Sequence, residues 1–470
     1  MLRHALPLRP PGLIAAVALT ATVVLTTPLP ASADDASTYT QSGKSVDGGS
    51  SAGDATALEA GDWKDTLGLT GTADGQRWYT VKRTVDGSTV RFTAAVPSGA
   101  PTARHDLTVE AFAGNLSCGK GDASSAGGGQ QPIVVASAAA GAGDRDECVD
   151  SGEVTFSVTR GSSEGTEEQK EEALEIRVME EPPAKNAEQL PTESADLPEK
   201  LPSLSDPADL PEGGVSFDDA ASLEPGAYRG TLTPGETRIY RVDVDWGQSL
   251  DAVAQFAPIT AAQAEAFDGA DARPSLVTYG PSRAAAVDMS NTYGRLNEYS
   301  SPELRSTTPF VLYNARENSY GATKVASTAG PYYLVLSAPP VEEGSGAAGA
   351  DLGLTLGVAV NGEVSGTPDF GDQEAVIGPD LDSGSGMGWL TWALIGLGVL
   401  LVLGGVVAVL IARRHAARAK APTYGGYAPP GQPGPTPPYG GQQPGGQQPG
   451  GQQPPYDQWQ GSNNRPGDGW

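Results

Sequence analysis

The chain has 470 residues, with 57 Asp and Glu against 30 Lys and Arg, and its formal net charge is −27. An acidic surface of this kind repels polyanions, so nucleic acid is excluded as a partner. Three histidines and two cysteines are too few ligands for a structural zinc site or an HExxH centre, and we predict no metal and no cofactor.

Residues 1–33 have the pattern of a secretory signal peptide. Arg3 and Arg9 flank the start of a short apolar stretch, and small residues occupy positions 31 and 33. We predict cleavage between Ala33 and Asp34, with an uncleaved N-terminal anchor as the alternative. Residues 34–56 contain almost nothing to bury, and we expect a disordered leader there.

Four segments recur in the same order along the chain. LEAGDWKDTL at 58–67 matches LEPGAYRGTL at 223–232, RWYTVKRTVDGSTV at 77–90 matches RIYRVDVDWGQSL at 238–250, GEVTFSVT at 152–159 matches GPYYLVLS at 330–337, and LEIRVM at 174–179 matches LGLTLGVAV at 352–360. Their alternation of apolar and polar residues predicts short strands separated by turns. We therefore predict a mainly β chain with two tandem, jelly-roll-like β-sandwich domains at 57–180 and 215–362.

Two segments flanking the second domain are predicted to be linkers. Residues 181–214 contain four Leu-Pro steps and many acidic residues, which favours a stiff, extended chain. Residues 363–386 form a juxtamembrane linker. Cys118 and Cys148 are predicted to form a disulfide, which would close a loop of about 30 residues and contribute roughly 3 to 4 kcal/mol.

Residues 387–412 are apolar and uncharged over a length sufficient to cross a bilayer. Trp389 and Trp392 lie at the start of this segment, and Arg413 and Arg414 follow it directly. Aromatic residues favour the membrane interface and basic residues the cytoplasmic side. We predict a single-pass protein of the cell membrane with its N-terminal part outside. Residues 413–470 would form a cytoplasmic basic flank and a disordered Pro/Gly/Gln-rich tail, which could engage a cytoplasmic partner.

Both predicted domains resemble the bacterial pre-peptidase C-terminal (PPC) domain. In the second copy the resemblance rests on residues 235–248, on PSLVTYGP at 274–281 and on GPYYLVLS. In the first copy it rests on Trp78-Tyr79, Asp86-Gly87 and GEVTFSVT. The resemblance implies a binding or spacer sandwich and no peptidase activity, because no peptidase domain precedes it. The whole layout is similar to envelope proteins of high-GC Gram-positive bacteria.

No pattern of a catalytic site accompanies the candidate residues. His105 is the histidine outside the predicted signal and tail, and no nucleophile elbow accompanies it. Ser117 and Lys120 match the Ser-x-x-Lys spacing, but we expect them in a Gly-rich loop, without the partner motifs. We predict no catalytic residue. A calcium ion at Asp268 and Asp271, or at Asp380 and Asp382, remains an open alternative.

The function predicted from the sequence is non-catalytic. We expect a membrane-anchored extracellular binding or scaffold protein of the bacterial envelope, accessory to an envelope or secretion complex, whose partner is an extracellular protein or a glycan. Tyr228, Tyr293 and Tyr299 are candidate surface residues. The alternatives are a secreted-side hydrolase without a motif, and a spacer ectodomain that displays a functional cytoplasmic tail.

Overall fold

The computed structural model describes residues 39–97, 105–125, 132–141, 143–161, 171–193, 201–267, 273–287, 292–296, 301–318, 321–338, 351–379 and 381. Their strands are β1 (Lys44–Ser45), β2 (Thr56–Leu58), β3 (Gly61–Leu67), β4 (Gln76–Lys82), β5 (Thr89–Pro97), β6 (Asp106–Ala113), β7 (Leu116–Ser124), β8 (Ile133–Ala140), β9 (Glu153–Arg160), β10 (Glu172–Glu181), β11 (Ala208–Asp209), β12 (Ala221–Ser222), β13 (Gly226–Leu232), β14 (Thr237–Val244), β15 (Ser249–Phe256), β16 (Ser275–Tyr279), β17 (Glu303–Thr307), β18 (Gly330–Ser337) and β19 (Leu352–Asn361). The α-helices are α1 (Asp146–Asp150), α2 (Ala261–Phe267) and α3 (Gly321–Val325). Short 3-10 helices cover Ala52–Asp54, Ala73–Gly75, Ala187–Gln189 and Tyr313–Glu317. The predicted mainly β fold is confirmed.

The described helices are all too short to cross a membrane. The predicted span at 387–412 lies outside the described residues, together with its flanking residues Trp389, Trp392, Arg413 and Arg414. The predicted cleavage site between Ala33 and Asp34 also lies outside them.

Two five-stranded sheets form the first sandwich. Its outer sheet has the order β2-β4-β9-β6-β7 and its inner sheet the order β1-β3-β10-β5-β8. Alternate residues of these strands turn inward, so Phe92, Phe156 and Ile176 meet in one buried cluster. The rings of Phe92 and Phe156 stack with their centroids 4.8 Å apart. This cluster is the hydrophobic core between the two sheets.

The second sandwich repeats the strand order of the first. Its inner sheet is β12-β14-β18-β16 and its outer sheet is β11-β13-β19-β15-β17. Even the short parallel pairs correspond, since β1 on β3 and β2 on β4 match β11 on β13 and β12 on β14. The four recurring sequence segments lie on equivalent strands of the two sandwiches. Strand β7 has no counterpart among the described strands of the second sandwich.

The two inner sheets pack against each other, and we call this contact the seam. The seam buries the second face of strand β10. Leu174 and Ile176 enter the first core, and Glu175 and Arg177 on the opposite face are also buried. Apolar residues from both inner sheets form a third buried cluster, which includes Ala95, Ile133, Val277, Tyr279, Tyr333 and Val335. Each inner sheet is therefore covered on both faces.

Buried charges cross the seam at two places. At the first, Arg283 pairs with Glu175 and Asp218, and Arg177 binds both oxygens of Asp62 at 2.7 Å. At the second, Glu181 of the first sandwich accepts hydrogen bonds from Arg91 and from Thr328 of the second sandwich.

The described part of the predicted leader, residues 39–56, packs against both sandwiches, which differs from the disorder that its composition predicts. The Tyr39 hydroxyl donates to Glu175 at 2.5 Å, and the Thr40 amide donates to the carbonyl of Val215 in the second sandwich. The ring of Tyr39 packs edge-on against Phe217. Composition could not reveal these contacts, because every partner is far away in sequence.

The described parts of both predicted linkers also pack, which differs from the free spacers that their composition predicts. Ala184 and Leu190 enter the second core, and β11 extends the outer sheet of the second sandwich. In the C-terminal segment, Ile377 exchanges two backbone hydrogen bonds with Glu180 of the first sandwich. The chain thus returns to the first sandwich after completing the second.

Candidate binding surface

The predicted disulfide is confirmed. Cys118 on β7 and Cys148 on α1 are bonded, with their Cα atoms 5.7 Å apart. Behind it, the Arg83 guanidinium donates to four carbonyl oxygens, those of Ala140, Cys148, Val149 and Ser151. Burial lowers the pKa of Arg83, while Glu180 and Asp144 oppose that effect. The bridge and the guanidinium together fix α1 against the sandwich.

His105 belongs to an ion-pair cluster at the ends of β6, β9 and β10. Its Nδ1 lies 2.6 Å from Glu172 Oε1, and the same carboxylate oxygen lies 2.6 Å from Arg160 Nη2. The His105 backbone amide donates to Ser125 Oγ. Its Nε2 has no hydrogen-bond partner among the described residues, so no hydroxyl there is placed to lose a proton to it.

Ser117 and Lys120 do not form a catalytic pair. Ser117 Oγ donates to Glu110 at 2.7 Å, whereas Lys120 Nζ lies 3.1 Å from Asp122. Both residues lie on β7, where a register shift places them on the same face, with Ser117 opposite Phe112 and Lys120 opposite Glu110. Each is held by a different carboxylate.

The metal candidates and one candidate tyrosine fall outside the part of the chain that the structure describes. These residues are Asp268, Asp271, Tyr299, Asp380 and Asp382. Within the described ranges no group of three His, Cys, Asp or Glu side chains is arranged to hold a metal ion.

The other two candidate tyrosines have packing contacts. Tyr228 donates to the carbonyl of Glu224 at 2.8 Å and lies against the second core. Tyr293 forms an isolated bridge with Ser275 beside the inner sheet. The structure does not bring these two residues together as a surface.

Two sheet faces point away from the seam, one on the outer sheet of each sandwich. Residues 202–204 lie over Gly357 on that of the second sandwich, and its edge strand β17 has exposed residues. We call the outward face of the outer sheet of the first sandwich the open face. It comprises Gln76, Trp78 and Thr80 of β4, Thr155, Ser157 and Thr159 of β9, Thr108, Glu110 and Phe112 of β6, and Ser117, Lys120 and Asp122 of β7.

An aromatic pair lies at the centre of the open face. Trp78 on β4 and Phe112 on β6 have ring centroids 5.7 Å apart and planes inclined at 31°. Strand β9 runs between them, and its Ser157 is only 4% exposed. Both rings are partly buried and keep some exposed surface. Because the central strand carries only Ser and Thr here, the larger rings on the flanking strands can meet across it.

Polar side chains around the pair are held by one another. Gln76 donates to Thr159 at 3.0 Å and Thr108 donates to Asp122 at 2.6 Å. The hydrogen bond from Thr108 lowers the pKa of Asp122, desolvation opposes it, and the ammonium group of Lys120 adds to the lowering, so the pKa lies below its usual value. The same face continues to Lys82, Glu153 and Asp106, so it has two lysines against four carboxylates and a small net negative charge.

Only part of the open face could be predicted from the sequence. Tyr79 and Val81 read as core residues, so alternation alone places Trp78 on the outer side of β4. Phe112 is 34 positions away in sequence, and its meeting with Trp78 depends on the strand order. The hydrophobic pattern does not supply that order.

No family model and no curated protein matches the chain. Among solved structures, it is similar to the Cowpea mosaic virus top component at 9% identity and a TM-score of 0.18, covering 66% of this chain and 92% of that one. Sulfolobus Turreted Icosahedral Virus gives 10% identity and a TM-score of 0.15, with 64% and 61% covered, and Broad Bean Stain Virus gives 10% and 0.15, with 64% and 82% covered. Similarities this low carry no argument, and the resemblance to PPC domains stays a prediction.

Proposed function

We propose that the chain is a non-catalytic, membrane-anchored extracellular binding or scaffold protein of the bacterial cell envelope. The observation that carries this proposal is the open face, an aromatic and polar surface on a sandwich whose other sheet is buried in the seam. Buried ion pairs, Arg283–Glu175 and Arg316–Glu181, and a shared apolar cluster fix the two sandwiches to each other. Such a body holds a binding surface in a defined orientation.

The anchoring and the location are part of the proposal and rest on the sequence. The signal pattern of 1–33 and the apolar segment at 387–412 with its basic flank support a single span with the sandwiches outside. The jelly-roll-like, PPC-like nature of the two sandwiches, the disordered tail and its cytoplasmic partner are proposed on the same grounds. The disulfide is consistent with an oxidising compartment.

The contacts of the candidate nucleophile and base favour binding over hydrolysis. His105 is engaged by Glu172 and Ser117 by Glu110, and the two residues lie on different hydrogen-bonded groups. Neither contributes to a shared reaction centre. The hydrolase alternative therefore gains no support from these residues.

The test is site-specific cross-linking in cells from the full-length chain. Both native cysteines are in the disulfide, so a cysteine introduced by Thr80→Cys on the open face is the single free thiol for a photo-activatable label. We expect it to capture exported envelope components, and a chain ending at Lys420 should capture the same set. Thr307→Cys, on the exposed edge strand β17, is the matched control. Capture that disappears on truncation, or is equal from both positions, would contradict the proposal.

A further inference from the structure

We propose that the open face binds an uncharged glycan chain, stacked on Trp78 and Phe112 and hydrogen-bonded by the surrounding hydroxyl and amide groups. This inference rests on the proposed binding function and names the ligand class. The partner is identified by the chemistry of the open face, which provides two adjacent rings, a small net charge and a dense set of short polar groups.

The aromatic pair supplies the apolar part of recognition. One face of a pyranose ring presents C–H groups, which pack on an aromatic ring while the hydroxyls project outward. Trp78 and Phe112 are partly exposed and adjacent, so together they give a platform longer than a single ring. The ring of Trp also has a polar edge. The Trp78 indole N–H makes no hydrogen bond with the described residues and is therefore available to an acceptor on the ligand.

The polar groups match the hydroxyls of a sugar. Serine and threonine hydroxyls both donate and accept, and the glutamine amide does the same through two atoms. Five such residues with partly exposed side chains surround the pair on three strands: Gln76, Thr80, Thr108, Thr155 and Thr159. A sugar hydroxyl likewise donates and accepts, so each of these contacts can be satisfied without a charge.

The dimensions fit several sugar units. Four strands at about 4.8 Å spacing give a face roughly 14 Å across, and three outward residues on one strand span about 13 Å along it. Residues on neighbouring strands lie directly opposite, as Thr80 faces Thr155 and Trp78 faces Ser157. The surface is thus continuous rather than a single-sugar pocket.

Charge and composition favour a neutral glycan over the other partner classes. The acidic chain repels anionic polymers, and the open face has too little net charge to attract a cationic one strongly. Stable protein interfaces bury about 800 Å² on each partner around a largely apolar centre. The open face has only two apolar side chains among twelve, so a protein partner fits it less well.

The test is calorimetric titration of the full-length protein in detergent micelles. The probes are three neutral hexasaccharides: β-1,4-linked glucose, β-1,4-linked N-acetylglucosamine and α-1,4-linked glucose. We expect at least one to bind, and Trp78→Ala and Phe112→Ala each to weaken its binding about tenfold or more. Tyr228→Ala, at a half-buried aromatic residue of the second sandwich, is the matched control and should leave the Kd unchanged.

A second variant keeps the test independent of folding. Thr159→Glu adds a charge at a half-exposed position of the open face without removing a ring, and it should also weaken binding. Melting curves of all variants identify any that fail to fold.

Each outcome decides between ligand classes. Binding that survives Trp78→Ala and Thr159→Glu would place the glycan elsewhere and overturn the site. If none of the hexasaccharides binds, the glycan inference fails. Capture of an exported protein by the Thr80→Cys label would then preserve the binding function with a protein partner, whereas no capture would remove both.

Discussion

Two glycines of β7 set the distance between β7 and β8 in the first sandwich. A Cβ on Gly121 would lie 2.0 Å from the carbonyl oxygen of Ser137, and one on Gly119 would lie 2.6 Å from that of Ala139. Both clashes are with backbone, which cannot turn aside. The absence of a side chain therefore allows the two sheets to close at this edge.

We predict that Gly121→Val lowers the melting temperature, with a loss of about 1–3 kcal/mol from overpacking. Thermal unfolding of the full-length protein measures it. The matched control is Gly152→Ala, since a Cβ there meets nothing within 4 Å. Equal melting temperatures for Gly121→Val and the wild type would show that β7 does not pack closely on β8.

At the scale of elements, α1 depends on the disulfide and on Arg83. Replacing both cysteines, Cys118→Ser with Cys148→Ser, should reduce the free energy of unfolding by about 3 kcal/mol, because a closed loop of this length restricts the unfolded chain. Urea unfolding gives the value. Reductant should lower the wild type to the level of the double variant and leave the double variant unchanged. An unchanged urea midpoint would mean that the four Arg83 hydrogen bonds suffice.

The strands and their duplication could be predicted because the alternation of apolar and polar residues within each strand is a local signal. Apolar and polar residues alternate in segments such as 238–250 because one face of the strand packs against a core. The seam could not be predicted, since Glu175 and Arg177 alternate with Leu174 and Ile176 and so look like solvent-facing charges. In the seam Glu175 pairs with Arg283, and Arg177 donates to the carbonyl oxygen of Pro281, and each of these partners lies more than 100 residues away. The open face was missed for the same reason.

At the scale of the whole molecule, the charges of the seam make its stability depend on pH. Burial raises the pKa of Glu181, but the charges of Arg91 and Arg316 outweigh burial and leave it below its usual value. The same balance, with Arg177 as the partner, lowers the pKa of Asp62. A carboxylate whose folded pKa is lowered stabilises the fold above its unfolded pKa, and this contribution is lost as the pH falls. Glu175 acts in the opposite sense, since burial raises its pKa.

We predict that Glu181→Gln destabilises the protein at pH 7 by about 3–5 kcal/mol, because it leaves Arg91 and Arg316 buried without their carboxylate. As the pH falls below about 4.5, the unfolded pKa of glutamate, the wild type should lose stability more steeply than the variant. Urea unfolding at pH 7 and pH 3 measures both effects. Glu303→Gln, in an exposed pair with Arg305, is the control and should change stability by less than about 1 kcal/mol. Parallel pH curves for Glu181→Gln and the wild type would contradict this account.

The described segment before the first sandwich contacts the second, and the described segment after the second contacts the first. This arrangement limits how the two halves can recombine or be engineered separately. Thr40 precedes the strands of the first sandwich in the sequence but donates to Val215 of the second. Ile377 follows the strands of the second sandwich but pairs with Glu180 of the first. A recombination point between the duplicated halves would therefore separate each sandwich from a segment that it needs. The pair is the exchangeable module, although its two halves share one strand order.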